Sequence, residues 1–543
     1  MTETLTHIWE KFMSGVRHHN IANMYRATER NYKMYEGDQW YGMPKSDTLP
    51  CHNFIKPTVQ YKVSMVAMNT MQIMFSPMEY TPEAVAVCDM LNKYAAQKWE
   101  QLKLDYLSWQ IILDAAIAGD AYIYFYNKSL DCHVVQNTSV YLGDEQQRDI
   151  QAQPYIIISE RRPVVDILAD AKKNKIPKKS LDMIVADKAD PTSIGDNNEV
   201  DNSEENSGKA TSLLYMTRNE KGNIVFARAT KYVVYEPEKE IPGLKHYPIA
   251  SFIWGAQLNS SRGTGEVKPL IPNQFEVNKL AARRCSSAAQ NAFAKPVYMK
   301  NQVANPEDIT KLGSAIELKG NGTPQDIKQI FDYIAPAPMS QEAGLLQSDL
   351  ITNSRELAGA GSAALGQIDP RRASGDAIMA VVDQASIPMN IQTAAYRQFV
   401  EDVAHIFLSM WRVYAKDTNG LETSYVERDL NNHQVIVKKH IDPEDLSTEM
   451  SIKIDATATN PYSRLAEERT LEQFLAAKHI TLEEYAEMLP YNSTAPKAGL
   501  TRVLDNRRRQ QELMNLRGMA GMGATNPMMS TGGAVEHNTP GIG

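Results

Sequence analysis

Four cysteines in 543 residues, Cys51, Cys88, Cys132 and Cys285, stand far apart with no CxxC pair among them. That spacing argues against a zinc ribbon or a disulfide framework, and reduced thiols inside a cell are expected. Long apolar runs are missing too. The nearest, Ala115 to Tyr126, is broken by Gly119 and Asp120, and a membrane span needs roughly eighteen apolar residues in a row. The opening, MTETLTHIWEKFMSGVRHHN, has acidic and polar side chains where an export leader has a basic end and then an apolar stretch, so no leader is expected. Basic charge is in deficit: 57 Lys and Arg against 65 Asp and Glu leave a formal charge of -8. Tight coating of DNA needs the opposite balance. A surface past which a polyanion slides gains from having few simultaneous cation contacts, so mild acidity suits a conduit. Signatures of catalysis are absent as well: no GxxxxGK[ST] loop, no HExxH or HxH among 11 histidines, no GxSxG. No catalytic residue, metal or cofactor is expected, and His18-His19 is expected at the surface.

What remains is the composition of an ordinary globular protein, 43% hydrophobic and 22% charged. The length calls for several domains, or for one with long excursions. Apolar spacing predicts helices over about 20–35, 54–74 and 81–118. Short β-rich stretches follow at 121–126, 134–142, 155–160, 213–217, 224–235 and 249–254. The acidic stretch from about 187 to 209, without aromatics, reads as a mobile surface loop. A long helix is expected over 264–294. Alanine and serine dominate its second half, so it cannot bury a broad apolar stripe and is expected to pack against like helices. A small α+β insert follows, with strands near 297–299 and 315–318 and a helix opening at Pro306. Then come a helix at 340–357, a Gly- and Ala-rich loop, and a helix over 374–416 bent at Pro388, where one backbone hydrogen bond is lost. Strands at 435–439 and 450–454, helices over 463–478, 482–488 and 498–517, and a Gly- and Met-rich tail complete the chain. The fold class is α+β.

Four passages carry a resemblance: Tyr35-Glu-Gly-Asp-Gln-Trp40, Asp114 to Phe125 (DAAIAGDAYIYF), Gly263 to Asn278 (GTGEVKPLIPNQFEVN) and the unit from Pro461 to Leu489. In their order and spacing the chain resembles the portal proteins of tailed bacteriophages over nearly its whole length. The resemblance implies a dodecameric ring at one capsid vertex, a conduit for double-stranded DNA in packaging and ejection, assembled in the host cytoplasm and carried in the virion. It implies as partners a terminase large subunit, major capsid and scaffolding proteins, and head-completion or adaptor proteins, with no membrane. It also implies a division into wing (1–263), first stem helix (264–294), clip (295–339), second stem helix (340–357), tunnel loop (358–373), kinked wing helix (374–417), wing strands (418–460), crown helices (461–517) and tail (518–543). No long heptad extension for a C-terminal barrel is present, a departure from some short-tailed-phage portals. The other reading is a DNA-processing enzyme of a packaging or mobile-element system.

Against that division, candidate residues can be named. Glu276, Lys279, Arg283, Ser287 and Gln290 share one helix face by their spacing. With Arg284 they are candidates to face DNA, unless Glu276 and Lys279 form a plain surface pair and the arginines bridge to neighbouring subunits. In the tunnel loop Gly359, Gly361 and Ser362 give the backbone freedom. Arg371 and Arg372 either touch phosphates or pair with Asp369 and Asp376. Lys319, Asn321 and Thr323 are docking candidates in the clip. Arg507, Arg508 and Arg509 read as solvated.

Overall fold

The computed structural model describes residues 2–40, 49–68, 71–187, 208–291, 295–299, 301–309, 311, 315–319, 330–334, 341–360, 387–418, 420–428, 434–444, 446, 450–455, 470–488 and 504. Two compact units make up the chain, Met1–Thr457 and Ala458–Gly543.

The first unit opens with three helices, α1 (Thr2–Ile21), α2 (Met24–Glu36) and α3 (Ile55–Ala67). α1 was not expected. It is separated from α2 by a joint at Asn23, whose φ of 54° is left-handed, so the predicted first helix splits just after its start. α3 ends earlier than predicted because the chain changes period. In β1 (Gln72–Pro77) Ile73 and Phe75 turn inward while Gln72 and Met74 turn outward, an alternation that only a strand satisfies. The single helix expected over 81–118 is two, α4 (Pro82–Gln101) and α5 (Leu104–Ala118), divided at Lys103 with φ 53°. No glycine or proline marks the break, and Trp99 Nε1 spans it by donating to Asp105 Oδ1 at 2.7 Å.

Strands follow: β2 (Asp120–Tyr126), β3 (Asp131–Val135), β4 (Val140–Leu142) and β5 (Tyr155–Pro163). After them come α6 (Val164–Lys173), α7 (Lys178–Leu181), β6 (Lys209–Arg218), β7 (Ile224–Ala229), β8 (Val234–Glu240) and β9 (Ile249–Ile253). The stretches expected as single strands over 134–142 and 224–235 are therefore each two, and α6 and α7 were not expected. The strands form antiparallel sheets in the orders β3-β2-β9 and β4-β5-β6-β7-β8. Residues Ala121 to Phe125 of β2 are buried throughout, which is why they read as a continuous apolar run.

Next are α8 (Val267–Asn291), β10 (Lys295–Tyr298), β11 (Phe331–Ile334), α9 (Gln341–Leu357) and α10 (Asn390–Thr418). β10 pairs with β11, whereas 315–319 contributes only an isolated bridge, Val303 to Leu318, in place of the expected strand. At Pro306–Asp308 there is one 3₁₀ turn rather than a longer helix. Finally β12 (Leu421–Arg428) pairs with β13 (Gln434–Ile441), and β14 (Met450–Asp455) returns to pair with β1. β12 was not expected. A large apolar core joins α2 to α5, β2, β9, the start of α8 and α10, including Phe125, Phe252, Phe407 and Trp411.

In the second unit the helix Leu482–Met488 agrees with the expected 482–488. Thr481 Oγ1 accepts from the Glu484 amide at 3.3 Å, and Glu484 Oε2 accepts from the Thr481 amide at 2.8 Å. That reciprocal pair is a capping box. The stretch at 470–476 is helical, within the expected 463–478. The helix expected over 498–517, its three arginines and the tail lie outside the described residues, apart from Leu504.

Candidate functional site

Three of the four passages quoted from the sequence meet at the base of α8. At the turn before it, Gly119, with φ of 120°, lies so close to Gly263 that a Cβ on either would overlap the other's carbonyl. A Cβ on Gly265 would likewise overlap the carbonyls of Ala116 and Ile117. Glycine is required there by the approach of one backbone to another. The Glu266 amide donates to the Ala116 carbonyl at 2.7 Å, and the Glu266 carboxylate accepts from Lys62 Nζ at 2.5 Å and Trp254 Nε1 at 3.3 Å.

One turn further, α8 is gripped by the segment that contains YEGDQW. Gln274 and Asn278 are fully buried, and Gln39 is nearly so. Asn278 Nδ2 donates to Gln39 Oε1 at 2.5 Å, and Asn278 Oδ1 accepts from the His52 amide at 3.1 Å. Gln274 closes the net: its Nε2 donates to the His52 carbonyl at 2.8 Å and its Oε1 accepts from the Phe54 amide at 3.1 Å. The side-chain amides of Gln39, Gln274 and Asn278 are buried, so each needs its partner.

These residues belong to a stripe. Val267, Leu270, Ile271, Gln274, Val277, Asn278 and Ala281 are buried at helical spacing. The expectation that α8 lacks an apolar stripe is therefore corrected for its first half, where branched aliphatics enter the core. Beyond Ala281 it stands: from Ala282 to Ala289 no side chain is buried.

Beside the root lies an ionic cluster that sequence reasoning missed. Arg262 donates to Glu145 Oε2 at 2.8 Å and Oε1 at 2.9 Å, to Asp120 Oδ2 at 3.3 Å and to Tyr122 Oη at 3.2 Å. It also reaches the carbonyls of Asn137 at 3.2 Å and Val140 at 2.7 Å, and His19 Nε2 at 3.1 Å. Burial would raise the Glu145 pKa, but the Arg262 charge and the hydrogen bonds to it hold this carboxyl well below its ordinary range. His19, expected at the surface, is fully buried, its ring stacked on Tyr141 at 4.7 Å. Burial, with the Arg262 charge assisting, lowers its pKa despite the Glu145 hydrogen bond. A guanidinium only donates, so in the contact with Arg262 the His19 Nε2 is the acceptor. His18 is half exposed.

α8 and α9 form a hairpin: Asn273 Nδ2 donates to Ser354 Oγ at 2.9 Å, and Arg284 to Gln347 Oε1 at 2.9 Å. Arg284 thus meets its own chain's α9. Glu276 and Lys279 form an exposed ion pair of 2.8 Å, and Arg283 is exposed. Ser287 is half-buried; the side chain of Gln290 lies outside the described residues. Gly359 caps α9 with φ of 71°, its amide donating to the Glu356 carbonyl at 2.9 Å. A Cβ there would stand 3.5 Å from Pro388. Pro388 sits in a 3₁₀ turn, Ile387–Met389, that runs into α10. Gly361, Ser362, Arg371, Arg372 and the helix expected before Pro388 lie outside the described residues, as do Asn321 and Thr323. Lys319 is exposed, its amide donating to the Gln302 carbonyl at 2.8 Å.

Among the described residues no three His, Cys, Asp or Glu side chains are grouped to hold a metal ion, and no helix is long and apolar enough to cross a membrane. A sheet-bearing body carries a helical hairpin whose base is locked and whose far half has no buried side chain on α8. The family model for phage P22-like portal proteins matches residues 174–453, just over half of the chain. The chain belongs to that family, whose members are structural proteins rather than enzymes. A chain of the virion of a native gene transfer agent particle superposes with a TM-score of 0.36 at 10% identity, over 85% of this chain and 92% of that one. No protein of curated description matches.

Proposed function

We propose that twelve copies of this chain form a ring at one capsid vertex, through which double-stranded DNA enters during packaging and leaves on ejection. The observation that carries the reading is the shallow burial of the far half of α8, which packs on α9. From Ala282 to Ala289 it presents alanine, serine, two arginines and a cysteine with none of them buried in the subunit, while its first half is fixed. Small side chains allow close approach of like helices, and repeating the subunit around a hole supplies them. In this reading 1–263 and 418–460 are wing, 264–294 and 340–357 stem, 295–339 clip, 358–373 tunnel loop, 374–417 the helix crossing the wing and 461–517 crown. Lys279 and Arg283 face the passage, Arg284 braces the hairpin, and Arg371 and Arg372 approach phosphates. Lys319, Asn321 and Thr323 dock a terminase large subunit and later the head-completion proteins, while capsid and scaffolding proteins surround the wing. Assembly takes place in the host cytoplasm.

Negative-stain images of the purified protein test this directly. Rings with a central hole wide enough for B-form DNA, without ATPase or nuclease activity, are the expected result. A stable lone subunit at high concentration, or DNA cleavage by the pure protein, overturns it.

A further inference from the structure

From the last turn of α6 into α7 the chain reads KKNKIPKK, and Lys172, Lys173, Lys175, Lys178 and Lys179 are all exposed. In a chain of net charge -8 this is five like charges in eight positions. None of them forms an ion pair among the described residues. The nearby Asp170 is already held by Arg162 Nη2 at 2.9 Å. Lys172 and Lys173 suit the negative end of α6, but that reason does not extend to the others. Lys178 and Lys179 open α7, and Lys175 has φ of 57°, a left-handed position at which glycine is the usual residue after a helix.

The corner is also rigid. The Ile176 amide donates to the Ala171 carbonyl and the Lys175 amide to the Lys172 carbonyl, both at 3.0 Å. Ile176 itself is buried with Ile167, Ala171 and Tyr235. A cleft of about 490 Å³ adjoins it, with Lys173 and Asn174 on one wall and Lys239 on another. Its arginines are matched by acids, Arg162 by Asp170 and Arg228 by Glu236 at 3.4 Å. Lys239, without an ion pair among the described residues, extends the patch to six lysines.

We infer that this corner binds the phosphate backbone of double-stranded DNA, at a place separate from the passage proposed above and not required by it. A preformed row of point charges gains from phosphates in any orientation and reads no sequence. Protein interfaces are depleted in lysine and favour arginine and aromatic anchors. Residues 164–187 contain no aromatic side chain on which single-stranded bases could stack.

The test is fluorescence anisotropy of the full chain with a labelled duplex of about 30 base pairs across a range of salt. Wild type is compared with a variant carrying Lys172, Lys173, Lys175, Lys178 and Lys179→Gln. The slope of log affinity against log salt should fall by about 4 units, with binding at least about tenfold weaker at moderate salt. Lys178→Glu with Lys179→Glu alone should give a smaller loss in the same direction, and both variants should keep the wild-type melting temperature, because all these side chains are exposed. Unchanged slope and affinity overturn the inference. So does polyglutamate that binds the corner more tightly than the duplex at equal charge, since the corner then prefers an acidic polypeptide. Imaging the same samples separates the two readings: rings without lysine-dependent binding sink only this one, and lysine-dependent binding without rings sinks only the ring.

Discussion

Removing the guanidinium of Arg262 takes from Asp120 and Glu145 the cation they share, both carboxylates being largely closed to water. Breaking a buried ion pair from one side typically costs about 3–5 kcal/mol. Arg262→Ala should therefore unfold at markedly lower urea, a loss measurable by equilibrium denaturation; a change under about 0.5 kcal/mol would refute the role given to it. No sequence motif announces this residue, because its partners come from four stretches of chain and only the fold collects them. His18 and His19 teach the same lesson. Adjacent histidines look alike in a sequence, yet one is packed under Tyr141 and the other is half exposed. Asp402 of α10 makes a prediction in pH. Burial first, with the charges of Asp149 and Glu401 adding to it and the Gln398 hydrogen bond opposing, raises its pKa to about 6. A carboxyl that is raised on folding takes up its proton more readily in the folded state. Its contribution to stability thus improves as pH falls through 6 toward the ordinary carboxylate range, and at neutral pH it is a burden. Asp402→Asn should stabilise the protein at neutral pH by about 1–2 kcal/mol, and the advantage should shrink in melts below about pH 4.

Among elements, α8 has two characters in one helix. Its root is held by amide groups of Gln39, Gln274 and Asn278, while its far half packs on α9 with no side chain from Ala282 to Ala289 buried. Gln39→Ala and Asn278→Ala should each destabilise by about 1–3 kcal/mol, because each strands a buried partner. Together they should cost less than their sum, a coupling that a double-mutant cycle in denaturant measures. How much of this was legible depended on whether the signal was local. The bounds of α8, α9 and β2 followed from apolar spacing and prolines. The break at Lys103 and the joint at Asn23 did not, because the apolar pattern runs through both without a glycine or proline. YEGDQW and GTGEVKPLIPNQFEVN drew notice as separate stretches, while their contact depends on 239 positions of intervening chain. What each glutamine and asparagine is for was therefore beyond the reach of spacing.

For the whole molecule, surfaces that serve assembly should be separable from those that serve folding. Ala288 and Ala289 lie exposed on α8, so Ala288→Trp and Ala289→Trp should leave the subunit's stability within about 0.5 kcal/mol. In the proposed ring the same tryptophans would enter helix contacts built for methyl groups. Sedimentation should then show small species in place of rings, with melting unchanged. Rings of normal size in both variants would place the packing face elsewhere.

The meeting of Gly359 and Pro388 has an evolutionary reading. The polypeptide leaves α9 and re-enters at the head of α10 within van der Waals distance of its point of departure. The end of α9 and the head of α10 are thus held against one another at one spot, whatever number of residues separates Gly359 from Pro388. Insertions and deletions between these two residues are therefore the cheapest large change open to relatives of this chain, and the place where their lengths should diverge first.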